Sequence, residues 1–261
     1  VVMADPSAVA SKHARIHWLP LESNPDVFTQ FAARAGCPLH RVNLEFCDVF
    51  GFDDELLMML PGPAVACVLL FDTKVFDAHR ETQRASGRVL PTTEGIDLFY
   101  IKQFVGNACG TIAAVHSMLN TPECVAAMEP DAPLAMFHAA ARGVAAAEEG
   151  DDKAKKAAEA GGALLAEAEG LHAASEDSAA GGQTEAPDLG ANVDHHFVAF
   201  VRGNDGNLYE LDGRRPDGPV NWGPVKDGDL MKSVAEVVKR EFVAVAGENC
   251  MLNCIALCRS G

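Results

Sequence analysis

Apolar positions along the chain recur with two different spacings, and each spacing marks a different kind of element. From Asn24-Pro25 an apolar-periodic run predicts a helix, with Asn24 as its cap and proline in the first helical position. Gly36 and Pro38 end it. Val42, Leu44 and Phe46 alternate with polar residues, as in a half-buried strand. Asp53-Asp54-Glu55 followed by Leu56 to Leu60 predicts a short helix stopped by Pro61, and the unbroken apolar run Ala64 to Phe71 predicts a fully buried strand. Gly110 to Asn120 has a helical pattern, with Ile112, Val115, His116 and Leu119 on one side.

Residues 130–181 are rich in Ala, Glu and Lys, which favours helix. Gly161-Gly162 is expected to interrupt them, with Leu164, Leu165, Ala168 and Leu171 as an apolar stripe afterwards. Ser175 to Gly190 turns polar, small and acidic, and predicts a long exposed connection of the kind that more often serves function than chance. The rest reads as strand, turn, strand, helix, strand. His196–Arg202 and Asn207–Leu211 flank a Gly203-Asn204-Asp205-Gly206 turn. Leu230 to Phe242 is helical in pattern, and Val243–Ala246 and Asn253–Cys258 are expected to be further strands. No linker or internal repeat divides the chain, so a single domain is expected over residues 1–261.

Charge narrows the partners. Against 21 Lys and Arg stand 37 Asp and Glu, a net charge of −16. Such a surface repels nucleic acid and anionic membranes and favours a basic partner or basic peptide tail. No stretch approaches the roughly 18 apolar residues of a membrane span. Val1 to Ala14 lacks the continuous apolar core of a signal peptide. The cysteines mostly have apolar neighbours, as in Ala66-Cys67-Val68, so reduced thiols of a cytoplasmic protein are expected. Cys250, Cys254 and Cys258 recur every four residues, but metal ligation wants a fourth ligand and tighter spacing, so core packing is expected and no metal. His13 and His17 share a helical spacing without an acidic partner, and no glycine pattern makes a phosphate loop. No cofactor is expected.

One segment carries chemistry. In Gln103-Phe104-Val105-Gly106-Asn107-Ala108-Cys109-Gly110-Thr111-Ile112 a polar turn runs into a helix, with Cys109 at or near its start. Backbone N–H groups and the helix dipole there favour a thiolate. The flanking glycines let a substrate backbone come close. A thiolate nucleophile needs a base and an orienting acid. A three-residue loop over Gly203 to Asp205 would set His196 opposite Asp212 on one face, about 5 Å apart at Cβ. A one-residue slip would break that pairing, and a plain surface His–Asp pair is the alternative. His195 and His196 face opposite sides, and parity alone does not choose between them.

The set Trp18-Leu19-Pro20-Leu21-Glu22-Ser23-Asn24-Pro25, Gln103 through Ile112, Gly182-Gln183-Thr184-Glu185-Ala186-Pro187, Val193 through Phe197, and Tyr209-Glu210-Leu211-Asp212-Gly213-Arg214 resembles the ubiquitin carboxyl-terminal hydrolases, nearest to their L-three type. The likeness runs from Trp18 almost to the C-terminus. It implies an α+β fold, an antiparallel β-sheet sandwiched between helices, related to papain-like cysteine proteases and with a knotted chain path, an exception to the usual rule. It implies that Cys109 is the nucleophile, that His196 rather than His195 is the base and acid, and that Asp212 orients it. Gln103 and the Cys109 N–H would form the oxyanion hole, where one donor is typically worth about 3 kcal/mol.

The resemblance also makes Ser175 to Gly190 an active-site crossover loop, under which only a small or disordered leaving group would thread. Ubiquitin contacts are implied for Pro20, Leu21, Glu22, Asn24, Asp26, Asp48, Gly182, Gln183, Thr184, Glu185, Met251 and Leu252, the acidic ones suiting the arginines of ubiquitin's tail. The implied partner is ubiquitin, with NEDD8 as a second substrate that L-three-type enzymes can take. A monomer in the cytoplasm, extending to the nucleus, is expected. The alternative is a ubiquitin-binding scaffold with a misaligned triad. The alanine-rich region 139–181 barely matches the family, the hairpin is one residue longer, and His195 stands where the family carries an apolar residue.

Overall fold

The computed structural model describes residues 16–85, 96–183, 194–246 and 251–260. Helix α1, Pro25–Arg34, starts where the pattern places it: Asn24 is extended and its side chain accepts from the Asp26 N–H at 2.9 Å. That satisfies one of the donors a helix start leaves over. Its buried face is Val27, Phe28, Phe31 and Ala32. Gly36 at φ +83° takes the left-handed turn that ends it. The predicted strand around Val42 begins later, because Leu39–Val42 forms a tight helical turn and Asn43 turns the chain at φ 52°. Strand β1 is Leu44–Asp48, and α2, Asp54–Leu57, stops short of Pro61.

Strand β2, Ala64–Asp72, passes directly into α3, Thr73–Ala85. Then follow α4 (Cys109–Leu119), α5 (Pro122–Ala127), α6 (Pro133–Ala147), α7 (Lys153–Glu167) and α8 (Glu169–Ala179). The remaining elements are β3 (His195–Arg202), β4 (Asn207–Leu211), β5 (Val220–Pro224), α9 (Leu230–Val238), α10 (Ala244–Ala246) and β6 (Leu252–Arg259). Strand β5 had no counterpart in the sequence reading.

The six strands form one sheet in the order β1-β6-β2-β3-β4-β5, with every neighbouring pair antiparallel. Alternate side chains of the central strands enter two cores. Ala66, Val68, Phe197, Ala199, Ile255 and Leu257 pack with α1 and α4 on one face. Cys67, Leu69, Val198, Phe200, Cys254 and Ala256 pack on the other against Val234, Val237 and Val238 of α9. A strand covered on both faces has no polar side to show, which is why β2 reads as an unbroken apolar run. The sheet between helices is the α+β architecture that the family likeness implied.

Helix α4 forms where the pattern places it, and all its residues, Cys109 to Leu119, are buried, so it is enclosed on every side. Three further expectations are corrected. Gly161-Gly162 does not interrupt the helices, because α7 runs through both. A Cβ on Gly162 would lie 2.2 Å from the Lys102 carbonyl oxygen, so the glycines let α7 press against the backbone leading to Gln103. The predicted exposed connection from Ser175 begins later: α8 continues to Ala179, with Ser175, Ser178 and Ala179 buried and Thr111 Oγ1 2.7 Å from Ser175 Oγ. Val243–Ala246, expected as a strand, is helical, because α9 runs on through a wide turn, Lys239–Val243, anchored in the core by Phe242. His13, Cys250 and residues 184–193 lie outside the described residues. Among the described residues no helix is long and apolar enough to cross a membrane.

Candidate active site

Cys109 is the first residue of α4, and no side chain caps the start of that helix. Its leading N–H groups are therefore left for a group at the cysteine's own position. The approach to it is held from outside: Gly106 donates to the Ile16 carbonyl at 2.9 Å, and its own carbonyl accepts from Trp18 N at 3.0 Å. His17 sits against Gly106 so closely that a Cβ there would lie 2.3 Å from His17 Nδ1. Any larger residue there would have to push the His17 ring aside.

His196, near the start of β3, is buried, and its Nε2 lies 2.6 Å from Asp212 Oδ1. This pair forms by a different route from the one predicted. The ladder pairs Ala199 with Leu211 and Arg202 with Leu208, two positions from the expected register, so Asp212 is not directly opposite His196. A shift of two keeps both residues on one face, and the diagonal neighbour is still within side-chain reach. His195 is half-exposed and pairs with Asp72 on β2, which separates the two histidines.

Asp212 is fixed by more than the imidazole. Its Oδ1 also accepts from Arg214 N at 2.9 Å, Arg80 from α3 closes on Oδ2, and the Tyr100 hydroxyl donates to its carbonyl at 2.9 Å. Gln103 is drawn to the same turn, its N–H donating to the Gly213 carbonyl at 2.9 Å. Its side-chain Nε2 donates to the Val105 carbonyl at 2.9 Å. An amide nitrogen carries two hydrogens, so one remains to donate elsewhere.

The electrostatics form a chain. Burial pushes the Asp212 carboxyl up, but Arg80, His196 and the Arg214 N–H overcome it and hold it well below the usual range. Burial likewise disfavours a charged His196, yet the Asp212 carboxylate and Cys109 raise it above an ordinary histidine. For Cys109, burial raises the thiol pKa, and the His196 imidazole, Arg214 and the Phe197 backbone together bring it below the ordinary value. His196 Nδ1, the nitrogen left after Asp212 takes Nε2, makes no hydrogen bond of good geometry. The thiol therefore senses the ring as a charge-stabilising neighbour.

Beside this centre an open groove of about 470 Å³ is lined by Glu22, Ser23, Asn24, Pro25, Asp26, Cys47, Asp48 and Gln183. It gathers five of the predicted contact residues, three of them carboxylates. Glu22 also accepts from Gln183 N at 2.8 Å, tying the end of the α8 segment to the groove. Leu21 is buried, and Gly110 and Phe197 lie against it. Pro20 and Leu252 are half-buried and Met251 is exposed, while Gly182 lies against Glu22. Thr184 and Glu185 lie outside the described residues. Among the described residues no cluster of His, Cys, Asp or Glu could hold a metal ion. A second recess of about 380 Å³, between α6, α7 and residues 96–102, holds none of the triad. Of the groups that hold Asp212, Arg214 lies within the Tyr209 to Arg214 motif, whereas no local pattern marks Arg80 or Tyr100.

A helix-start thiol, an imidazole beside it and a buried carboxylate behind the imidazole define a cysteine hydrolase of the triad type. The chain belongs to the ubiquitin carboxyl-terminal hydrolases, family 1, whose family model matches residues 18–243. A ubiquitin carboxyl-terminal hydrolase of Aplysia californica is 37% identical over 228 residues, covering 85% of this chain and 94% of its own. Human ubiquitin carboxyl-terminal hydrolase isozyme L1 is 30% identical over 242 residues, 92% of this chain and 98% of its own. The fold is shared with the Trichinella spiralis UCH37 catalytic domain, crystallised bound to ubiquitin vinyl methyl ester: the TM-score is 0.69 at 20% identity, over 97% of this chain and 100% of that one.

Proposed function

We propose that this protein is a thiol deubiquitinase that cleaves small adducts (amides, esters, thioesters or short peptides) from the C-terminal glycine of ubiquitin. The observation that carries the reading is the buried His196–Asp212 pair at 2.6 Å, set beside Cys109 at the start of α4. In this mechanism His196 takes the thiol proton on Nδ1, and Cys109 Sγ attacks the terminal carbonyl. The oxyanion receives the Cys109 N–H and the spare hydrogen of Gln103 Nε2. His196 then protonates the leaving group, and a thioester forms. Water activated by the same ring attacks it, the thiol leaves, and the free carboxylate is released. Asp212 keeps the ring oriented and stabilises its charge throughout.

The carboxylates of Glu22, Asp26 and Asp48 in the groove suit a basic tail approaching the thiol. The likeness to L-three-type enzymes extends the proposal to NEDD8. The proposal includes a monomer of the cytoplasm and nucleus; the seven described cysteines are free thiols, as a reducing compartment keeps them. Turnover of a ubiquitin C-terminal amide reporter tests the assignment: Cys109→Ala should abolish it and keep ubiquitin binding, and equal turnover by the variant would sink the proposal.

The unclosed contact at His196 Nδ1 favours a second reading, a ubiquitin-binding scaffold whose triad does not align. A ubiquitin vinyl probe separates the two. Covalent capture at Cys109 supports the enzyme, and tight binding without capture supports the scaffold.

A further inference from the structure

Away from the triad, thiols meet in close pairs. Cys47 Sγ lies 3.2 Å from Cys258 Sγ, and Cys67 Sγ lies 3.1 Å from Cys254 Sγ. Both pairs are diagonal across antiparallel ladders, since Cys47 and Cys67 each stand opposite Ala256 of β6. The pairs match in proximity and differ in access. Cys67, Cys254 and Cys258 are sealed in the core, whereas Cys47 is half-buried; its side chain packs on the α9 face of the sheet with Cys258, and its strand runs on into Asp48 at the acidic groove. The hydrogen bond with Cys258 holds the Cys47 thiol below its ordinary value, against burial and the nearby Glu45 and Asp48. Burial and Cys254 instead push Cys67 well up. Among the described cysteines only Cys47 combines partial exposure, a lowered thiol pKa and a sulfur partner at 3.2 Å.

We propose that Cys47 and Cys258 are a peroxide-oxidised pair whose disulfide displaces Asp48 and weakens binding of the basic substrate tail. The Cys47 thiolate attacks the outer oxygen of a hydroperoxide, breaking the O–O bond and releasing the alcohol, or water from hydrogen peroxide. The resulting sulfenic acid is attacked by Cys258 Sγ; the S–O bond breaks and water leaves. Two thiols and one peroxide thus give one disulfide, the peroxide taking both electrons. Closing from 3.2 Å to a bonded sulfur pair requires an approach of about 1.2 Å. That movement draws β1 toward β6 at the residue preceding Asp48, on the wall of the groove. A thiol reductant reverses it.

The binding half of this proposal rests on the deubiquitinase reading, and the thiol half does not. The test uses the full chain as Cys109→Ala, so that the nucleophile consumes no peroxide. After hydrogen peroxide and alkylation, peptide mass spectrometry should find Cys47 linked to Cys258, while calorimetry with ubiquitin shows a Kd about tenfold weaker, restored by dithiothreitol. A further Cys47→Ser change should remove both effects. Oxidation of Cys47 without linkage, linkage of Cys67 to Cys254 in its place, or linkage that leaves the Kd unchanged overturns the proposal. Failure of the reduced protein to bind ubiquitin overturns the deubiquitinase reading instead, because the link is read by mass with no ubiquitin present.

Discussion

Acid should loosen this protein through His116, a residue remote from solvent and two turns along α4 from Cys109. The ring is fully buried, its Nε2 accepts from Ile101 N at 3.1 Å, and it stacks on Tyr100 at 5.5 Å between centroids. Burial holds its pKa down to about 3, against 6.5 for a free histidine, and the Asp212 charge and backbone contacts only partly oppose that. Between those two values the unfolded chain binds a proton at this residue and the folded chain does not. Stability therefore falls as pH falls, by about 1.4 kcal/mol per unit in the heart of the window. At pH 5 the loss from His116 alone is about 2 kcal/mol. His116→Gln keeps an acceptor near Ile101 and has no proton to gain. Urea unfolding followed by tryptophan fluorescence at pH 7.5, 6 and 5 should show wild type losing its advantage over the variant by about 2 kcal/mol. Other titrating groups are shared and cancel. If the two stabilities run parallel with pH, the argument from the buried neutral ring is wrong.

Other consequences follow from the same contacts. Gly162→Ala would place a methyl group 2.2 Å from the Lys102 carbonyl oxygen, so a loss of about 2 kcal/mol is expected in thermal unfolding, and an unchanged melting temperature would contradict the packing of α7. Arg80→Met removes a cation closing on buried Asp212, which should cost about 3 kcal/mol. Because Arg80 helps depress the Asp212 pKa, stability now lost only well into acid should be lost at higher pH, which circular dichroism can follow. With Cys109 shifted down and His196 shifted up, kcat/KM for a ubiquitin reporter should be bell-shaped, rising as the thiol ionises and falling as the imidazolium deprotonates. Asp212→Asn removes the charge that raises His196, so the alkaline limb should move to lower pH; a fixed limb would show that Asp212 does not set it.

How far the sequence reveals this molecule depends on how local each feature is. The Asn24-Pro25 cap, the buried strand β2 and the limits of β4 are written in neighbouring residues, and the structure has them where the pattern puts them. Cys109 at a helix start is local in the same sense. The His196–Asp212 contact was legible only as parity: the residues share a face, but the register depends on a turn whose length the sequence left open. Gly161 and Gly162 misled because a glycine that ends a helix and one that admits a neighbouring backbone look alike until the neighbour is known. Arg80 and Tyr100 reach Asp212 from more than a hundred residues away, which no periodicity records.

The place of β6 between β1 and β2 bears on how the molecule is made and unmade. A ribosome that has delivered residues 44–72 has produced two strands with no shared ladder, each waiting for residues 252–259. Until those arrive, both present open edges that invite pairing with other chains, so the nascent protein depends on protection for most of its synthesis. Pulling on residues 252–259 has the opposite character. It withdraws a strand bonded on both sides rather than peeling an edge, so the sheet should resist force up to one abrupt rupture.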